Sequence, residues 1–189
     1  VETRAYDVSS NLIDVTQLPG GGAAPRTTRA YYDWRNRTVA TKAGASATPS
    51  TEDLAMNRPI TYTEYDNLSR IVGESVFDGD GVTIVDATSD GVPDKPSAAL
   101  LRSYMTSSYD SQDRVYRTQA LQVDQATGAI ATTPVKSTTS SFYDHRGNVM
   151  MVLPASGAPV QSVHDGAGRV TRIYTLGYMF TPPTWTTAS

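Results

Sequence analysis

The sequence predicts an all-β fold of antiparallel β-hairpin repeats that form an open, curved or spiralling sheet. Three observations support this fold class. A Tyr-Asp motif recurs six times, the segments before it alternate between apolar and polar residues, and hydrophobic residues make up only 39% of the chain. Alternation with a period of two, as in Ile60 to Tyr65, is typical of a half-buried strand. A moderate apolar content suits strands with polar faces and many turns.

The repeated motif consists of Tyr or His, then Asp, three variable residues, Arg or Asn, and usually an aliphatic residue. Its six copies begin at Tyr6 and Asp7, Tyr32 and Asp33, Tyr65 and Asp66, Tyr109 and Asp110, Tyr143 and Asp144, and His164 and Asp165. We expect each Asp to start a tight turn, because its carboxylate accepts hydrogen bonds from nearby backbone N–H groups. The predicted turns are Asp7–Asn11, Asp33–Arg37, Asp66–Arg70, Asp110–Arg114, Asp144–Asn148 and Asp165–Arg169, with the motif tyrosines on one face of the sheet.

The spacing of the motifs indicates insertions between some repeats. Successive motif aspartates lie 26, 33, 44, 34 and 21 residues apart, and the shortest interval is about what two strands and two turns require. Gly- and Pro-containing segments fill the longer intervals: Gly20–Pro25, Ala43–Pro59, Asp78–Pro96 and Asp124–Pro134. We therefore predict a repeat region over residues 1–176 with an acidic insertion at 78–96, followed by a Pro- and Thr-rich cap or linker at 177–189.

Charge and composition exclude several classes of protein. The 16 basic and 19 acidic residues give a net charge of -3, whereas a nucleic-acid surface is normally basic. The absence of cysteine removes disulfides and thiolate chemistry. No apolar run approaches the length of a membrane span. We expect neither nucleic acid as a partner nor a membrane-spanning segment.

The six motifs resemble the YD repeats of the RHS (rearrangement hot spot) family, which also occur in teneurins and in the cocoon subunits of bacterial ABC toxins. The resemblance covers roughly Val1 to Tyr178. It implies a long β-sheet that spirals strand after strand in secreted or surface proteins. A closed shell needs several times this many repeats, so an open sheet is expected here. The resemblance also implies stacking along the sheet of Tyr6, Tyr32, Tyr65, Tyr109 and Tyr143, with His164 as the departure in the sixth copy.

The sequence predicts no catalytic residues and hence no enzyme. A Ser/His/Asp hydrolase would use His145 or His164, the two histidines of the chain, but both lie in repeats and no Gly-x-Ser-x-Gly elbow is present. A glycosidase would use paired acids. The motif aspartates instead recur once per hairpin, which indicates that they shape turns.

The acidic insertion contains a candidate calcium loop. Oxygen ligands are available from Asp86, Thr88, the Val92 carbonyl, Asp90 and Asp94, and a glycine follows Asp90 where the loop must bend. The alternative is a solvated Asp/Gly turn. No cofactor is required by this interpretation, and calcium is the single candidate ion.

Two glycosylation sequons begin at Asn36 and Asn67, both within repeat turns. A second candidate for glycan contact is a sugar-stacking surface of aromatic side chains, although aromatic residues at strand spacing are more often cross-strand packing pairs.

These observations lead to two functional hypotheses. The first is a non-enzymatic structural repeat protein at the cell surface or outside the cell. It would be a segment of an RHS-like shell or a filament subunit built by strand pairing, and its partners would be further repeats of the parent chain or identical copies. The second is an adhesion module that binds carbohydrate or protein.

Overall fold

The computed structural model describes residues 1–21, 24–46, 56, 58–131 and 136–177, and these form one open sheet of twelve antiparallel strands. The strands are β1 (Glu2–Tyr6), β2 (Leu12–Gln17), β3 (Arg26–Tyr32), β4 (Thr38–Ala43), β5 (Pro59–Tyr65), β6 (Ile71–Asp78), β7 (Leu101–Tyr109), β8 (Val115–Leu121), β9 (Lys136–Tyr143), β10 (Val149–Leu153), β11 (Val160–His164) and β12 (Val170–Thr175). A 3-10 turn at Ala98–Leu100 is the sole helical element within the described residues. The predicted all-β, open antiparallel sheet is confirmed.

The strands follow one another in the sheet in the order in which they occur in the chain. A Tyr-Asp turn, or the His-Asp turn of the sixth motif, connects each odd-numbered strand to the next, so all six predicted hairpin turns are present. The predicted insertions fall in the connections at the opposite edge. This division explains the uneven motif spacing, because the turn edge is constant while the other edge tolerates extra residues.

The register between neighbouring hairpins is the same at four places. Each time, the seventh residue after one motif Asp lies opposite the fourth residue before the next motif Asp. The four pairs are Asp14 with Arg29, Ala40 with Tyr62, Gly73 with Thr106, and Met151 with Gln161. A slip of one residue would turn every side chain of a strand to the other face. The motif therefore marks the register of the whole repeat as well as its turn.

The chain divides into two compact units, and the first, residues 1–106 with 120–135, contains a hydrophobic core. The buried side chains of this core are Val39, Ala40, Ile60, Tyr62, Phe77, Ile84, Leu101 and Val123. Ile84 and Val123 come from the insertions at 78–96 and 124–134 or their border, which the sequence indicated only as connecting loops. An apolar sheet face must be covered by another layer, and in this unit the insertions supply that layer.

Hydrogen bonds attach the acidic insertion to the sheet. The Tyr62 hydroxyl donates to the Pro93 carbonyl at 2.6 Å, and the Lys42 ammonium donates to the Val82 carbonyl at 2.8 Å. Lys42 is almost fully buried, and a buried ammonium is costly unless it is hydrogen-bonded. Burial raises the pKa of Tyr62 to about 12.

The second unit, residues 107–119 with 136–189, has no buried side chain among its described residues. Every residue of β12, Val170–Thr175, is exposed. Backbone pairing and contacts between repeats must therefore hold this unit together. The predicted tail at 177–189 lies outside the described residues except for Gly177. Within the described part of the chain, no helix is long and apolar enough to cross a membrane.

Candidate functional site

The six motif turns, five Tyr-Asp and one His-Asp, share one backbone hydrogen-bond pattern. The N–H of each motif Asp donates to the carbonyl of the fourth residue after it at 2.9–3.0 Å, and the N–H of the third residue donates back to the Asp carbonyl at 2.9–3.2 Å. This pattern is that of a type I turn followed by a G1 bulge. The accompanying register shift occurs beside the motif Tyr, as between Ala5 and Tyr6 and between Tyr31 and Tyr32.

Each motif carboxylate is fully used inside its own turn. One oxygen accepts from the backbone N–H groups of the second and fourth residues after the Asp, at 2.8–3.0 Å. The other accepts from the Arg Nε or Asn Nδ2 of the fourth residue at 2.7–2.9 Å. The preference for Arg or Asn at the end of the motif thus has a direct cause: both side chains donate to this oxygen.

The turns lower the pKa of all six motif aspartates. For Asp144, hydrogen bonding from the Asn148 side chain is the main cause and brings the pKa to about 2. For Asp66, the Arg70 backbone N–H has the largest effect. A general acid needs a raised pKa to be protonated near neutral pH. These carboxylates are shifted the opposite way, which favours a permanent structural anion.

One turn position requires a left-handed backbone. The third residue after every motif Asp has positive φ, from 59° to 90°: Ser10, Asn36, Ser69, Asp113, Gly147 and Gly168. Asn, Asp and Gly are the residues that tolerate this conformation best. The sequence carries a signal for this conformation, because the third residue after the motif Asp is small or polar in every copy.

A tyrosine hydroxyl joins successive hairpins. Tyr32 donates to the Leu12 carbonyl at 2.9 Å, and Tyr65 donates to the Thr38 carbonyl at 2.9 Å. Tyr143 makes the corresponding bond to the Val115 carbonyl at 2.8 Å. Each acceptor is the fifth residue after the preceding motif Asp. Each of these three tyrosines is therefore placed equivalently on the hairpin before it, as expected for tyrosines aligned along the sheet.

For Tyr65 and Tyr143, the ring contact that the structure shows is with arginine, which corrects the implied Tyr–Tyr stacking at these two positions. The Arg37 guanidinium carbon lies 4.5 Å from the centre of the Tyr65 ring, and Arg114 lies 4.5 Å from that of Tyr143. Motif tyrosines are two strands apart, roughly 9.5 Å at the usual strand spacing, which is too far for direct stacking. The preceding motif Arg fills this gap with a cation–π contact.

The same arginines also bond to the next turn, so each joint has several contacts. Arg114 donates to the Asp144 carbonyl at 3.2 Å, and Arg37 donates to the Ser69 hydroxyl at 3.1 Å. We use the term repeat joint for this set: the Tyr hydroxyl bond, the Arg–Tyr stack and the Arg bonds to the following turn.

Side chains at the turn tips add a second connection between neighbouring motifs. Arg35 donates to the Asn67 carbonyl at 3.2 Å, and Arg146 donates to the Gly166 carbonyl at 2.6 Å. Both arginines are the second residue after a motif Asp. The sequence analysis treated this position as variable, because its partner lies in the next repeat and is invisible without the register.

The two histidines lie in different repeats, one in a turn and one at the end of a strand. His145 is the first residue after Asp144 in an exposed turn, while His164 ends β11 opposite Val170 in the place that the other motifs give to Tyr. Across the described residues, no three or more His, Cys, Asp or Glu side chains form a group that could hold a metal ion.

The candidate calcium loop is folded by its own carboxylates. Asp86 accepts from the backbone N–H groups of Asp90 and Gly91 at 3.2 and 2.9 Å, and Asp94 accepts from that of Ala87 at 2.7 Å. Thr88 donates its hydroxyl to Asp86 at 3.3 Å. These bonds account for the bend without an ion. Calcium binding by Asp86, Thr88, Asp90, Val92 and Asp94 stays a prediction.

Both sequons lie in exposed turns. Asn36 has φ 59° and its side-chain oxygen accepts from Asn11 at 2.9 Å, while the Asn67 carbonyl is the acceptor of Arg35. The exposed positions are compatible with the predicted modification, which itself stays a prediction.

Comparison with known proteins yields weak structural similarity. No protein family matches the sequence, and neither does any curated protein. The crystal structures of TcdB2-TccC3-TEV and TcdB2-TccC3-Cdc42 each align with 95% of this chain at 13% identity and a TM-score of 0.47. The structure of a mutant Photorhabdus luminescens Tc holotoxin pore aligns with 91% of it at 14% identity and a TM-score of 0.41.

The chain spans 9% of the length of each of these three proteins. The identities and TM-scores are too low to assign it to a family. The geometry of the turns and repeat joints shows that the chain is an antiparallel β-repeat protein with Tyr-Asp turns.

Proposed function

We propose that this protein is a non-enzymatic structural repeat protein, a segment of an RHS-like shell or a subunit of a surface filament. The observation that carries the proposal is that all six motif aspartates use their carboxylates in the same way. Every motif Asp closes its own turn, and the described joints use Tyr and Arg to fix the next hairpin. The repeated side chains therefore serve to close the turns and to extend the sheet.

The hydrogen bonds and the lowered pKa values of the motif aspartates favour a structural role over catalysis. Their carboxylates accept three hydrogen bonds each and have lowered pKa values, so they are poor candidates for proton transfer. Location outside the cell or at its surface is part of the proposal. It is supported by the resemblance of the motifs to YD repeats and by the polar strand faces.

An adhesion module is the second candidate, and the exposed Trp34 favours it. Trp34 is 64% exposed, with the Arg35 guanidinium carbon 4.5 Å from its ring centre. Its backbone N–H donates to the Gly91 carbonyl at 2.8 Å, which places it beside the acidic insertion. An exposed indole next to polar groups is suited to stacking on a sugar ring.

A glycan array probed with the full chain separates the two functions. The structural function predicts no saturable binding to any glycan. Saturable binding that is lost in Trp34→Ala and retained in Tyr116→Ala, an exposed aromatic on β8, would support the adhesion module and contradict a purely structural function.

A further inference from the structure

The first compact unit contains a cavity at the edge of the sheet opposite the motif turns. Its volume is about 150 Å³, and it is lined by Arg58, Pro59, Phe77, Asp78 and Arg102. These residues lie at the start of β5, the end of β6 and the start of β7, all within the first unit. A protein cavity of about this volume can hold a molecule of benzene. The space is therefore sufficient for a small organic ligand.

A β-bulge places one of the two arginines at this cavity. The register between β6 and β7 shifts beside Phe77 and leaves Arg102 as the extra residue of β7. A bulge interrupts the ladder and re-aims a side chain. The Arg102 Nη1 donates to the carbonyls of Ala99 and Leu101, at 3.2 Å in each case. These two bonds to the backbone hold the guanidinium in the cavity wall.

Arg58 supplies the second guanidinium of the wall. Its Nε donates to the Gly44 carbonyl at 2.8 Å, and its Nη1 lies 3.2 Å from Asp80 Oδ1. The same carboxylate oxygen accepts the backbone N–H of Arg58 at 2.9 Å, so Asp80 also fixes the chain at this point. Both guanidiniums are thus positioned by the protein itself. A planar, fixed guanidinium matches the geometry of a carboxylate.

The carboxylate in the cavity wall, that of Asp78, is a poor partner for Arg102. Its Oδ2 lies 3.4 Å from Arg102 Nη2, whereas the Asp–Arg pairs of the motifs are 2.6–2.8 Å apart. Hydrogen bonds between ionised groups are usually about 2.7–2.9 Å long. The Asp78 and Arg102 side chains are also 31% and 33% exposed, so a ligand can reach them. An incoming carboxylate can improve on the contact that Arg102 has with Asp78.

We propose that this cavity binds a small carboxylate anion that carries an apolar group. The carboxylate accepts hydrogen bonds from Arg102 and Arg58, and the apolar group lies against Pro59 and the Phe77 ring. Two arginines and one aspartate give the lining residues an excess of one positive charge, which favours an anion over a neutral molecule. The site contains no motif residue, so it adds a ligand to the proposed structural function without depending on it.

Titration with benzoate, followed by two-dimensional NMR of the full chain at constant ionic strength, tests the site. Benzoate is a suitable probe because it combines one carboxylate with a ring of the size that the cavity holds. We expect saturable shifts of the amide signals of residues 77–79 and 101–103. Benzamide keeps the ring and lacks the charge, so it should give no saturable shifts at the same concentrations. Equal responses to the two probes, or no saturation with benzoate, would overturn the proposal.

Three variants test the roles of the charged groups. Arg102→Gln should weaken benzoate binding roughly tenfold or more, the effect of losing a charge-assisted hydrogen bond. Asp78→Asn removes the competing carboxylate and should strengthen binding. The matched control is Arg4→Gln, an exposed position on β1, which should leave the affinity unchanged.

Opposite effects of Arg102→Gln and Asp78→Asn are not expected if the two residues only stabilise the fold. Dispersed amide signals establish that each variant is folded. Unchanged affinity in folded Arg102→Gln, or weaker binding in Asp78→Asn, would contradict the site. Because the glycan array has a separate readout, a missing response to benzoate refutes this cavity site alone and leaves the structural function standing.

Discussion

At the residue scale, the motif aspartate accepts the hydrogen bonds that close its own turn. Its carboxylate satisfies two backbone N–H groups of the turn and one donor of the final Arg or Asn, which water would otherwise have to satisfy. The contribution of these bonds depends on burial. The side chain of Asp33 is 0% exposed, whereas that of Asp165 in the last turn is 27% exposed.

Replacing Asp33 should therefore cost more than replacing its equivalent at the end of the sheet. Asp33→Ala leaves buried N–H groups and Arg37 without their acceptor, and we expect a loss of roughly 2–4 kcal/mol in the free energy of unfolding. Asp165→Ala removes the same bonds where water can replace them, so its effect should be smaller. Urea denaturation of both variants checks the order, and an equal loss would contradict it.

The lowered pKa values predict acid sensitivity. A carboxyl whose pKa is depressed by folding stabilises the fold above its unfolded pKa and loses that contribution as pH falls through its folded pKa. For Asp144 the interval runs from its ordinary 3.8 down to about 2. The urea midpoint should be constant near neutral pH and fall across this interval. The Asp144→Asn variant should show a shallower fall, and an unchanged slope would refute the assignment.

At the element scale, the hairpins could be predicted and the joints could not. Asp followed by small or polar residues is a local signal, so the turn at Asp66–Arg70 follows from sequence alone. The partner of Tyr65 is Arg37, which lies in the preceding hairpin. That contact depends on the register between β4 and β5, which no local pattern specifies. The direct tyrosine stacking that the resemblance implied would need a shorter distance than two strand spacings.

The tyrosine hydroxyl provides a test of the joint. Tyr65→Phe removes the bond to the Thr38 carbonyl and keeps the ring on Arg37, so we expect a loss of about 1 kcal/mol in stability. Tyr6→Phe alters an exposed tyrosine and should change the stability much less. Thermal or urea unfolding at low protein concentration measures both, and a Tyr6→Phe effect as large as that of Tyr65→Phe would contradict the joint.

At the scale of the whole molecule, the two compact units are stabilised differently. The core of the first unit depends on Ile84 and Val123, apolar residues in or beside Gly- and Asp-containing segments. Their sequence surroundings are those of a surface loop, which is why the core layer was not predicted. The second unit has no buried side chain among its described residues and relies on pairing and joints.

This difference predicts unequal protection of the backbone. Amides of β4, β5 and β6 should exchange with solvent hydrogen slowly, since they lie over buried Ile60 and Phe77. Amides of β11 and β12 should exchange much faster, because local opening there exposes little apolar surface. Hydrogen exchange of the full chain measures this directly. Uniform protection over both units would show that an additional contact covers the second one.

The central claim is that the motif defines a modular repeat, and an in-register deletion tests it most directly. Removing residues 145–165 joins Asp144 to Gly166 and recreates a complete motif between β9 and β12, because the last two motif aspartates are 21 residues apart. The account predicts a folded protein one hairpin shorter, with the amide NMR signals of residues 1–106 unchanged. The control deletion of 145–164 leaves one extra residue in the turn, shifts the register and should destabilise the second unit. Loss of the folded spectrum in the 145–165 deletion, or equal behaviour of the two deletions, would contradict the account.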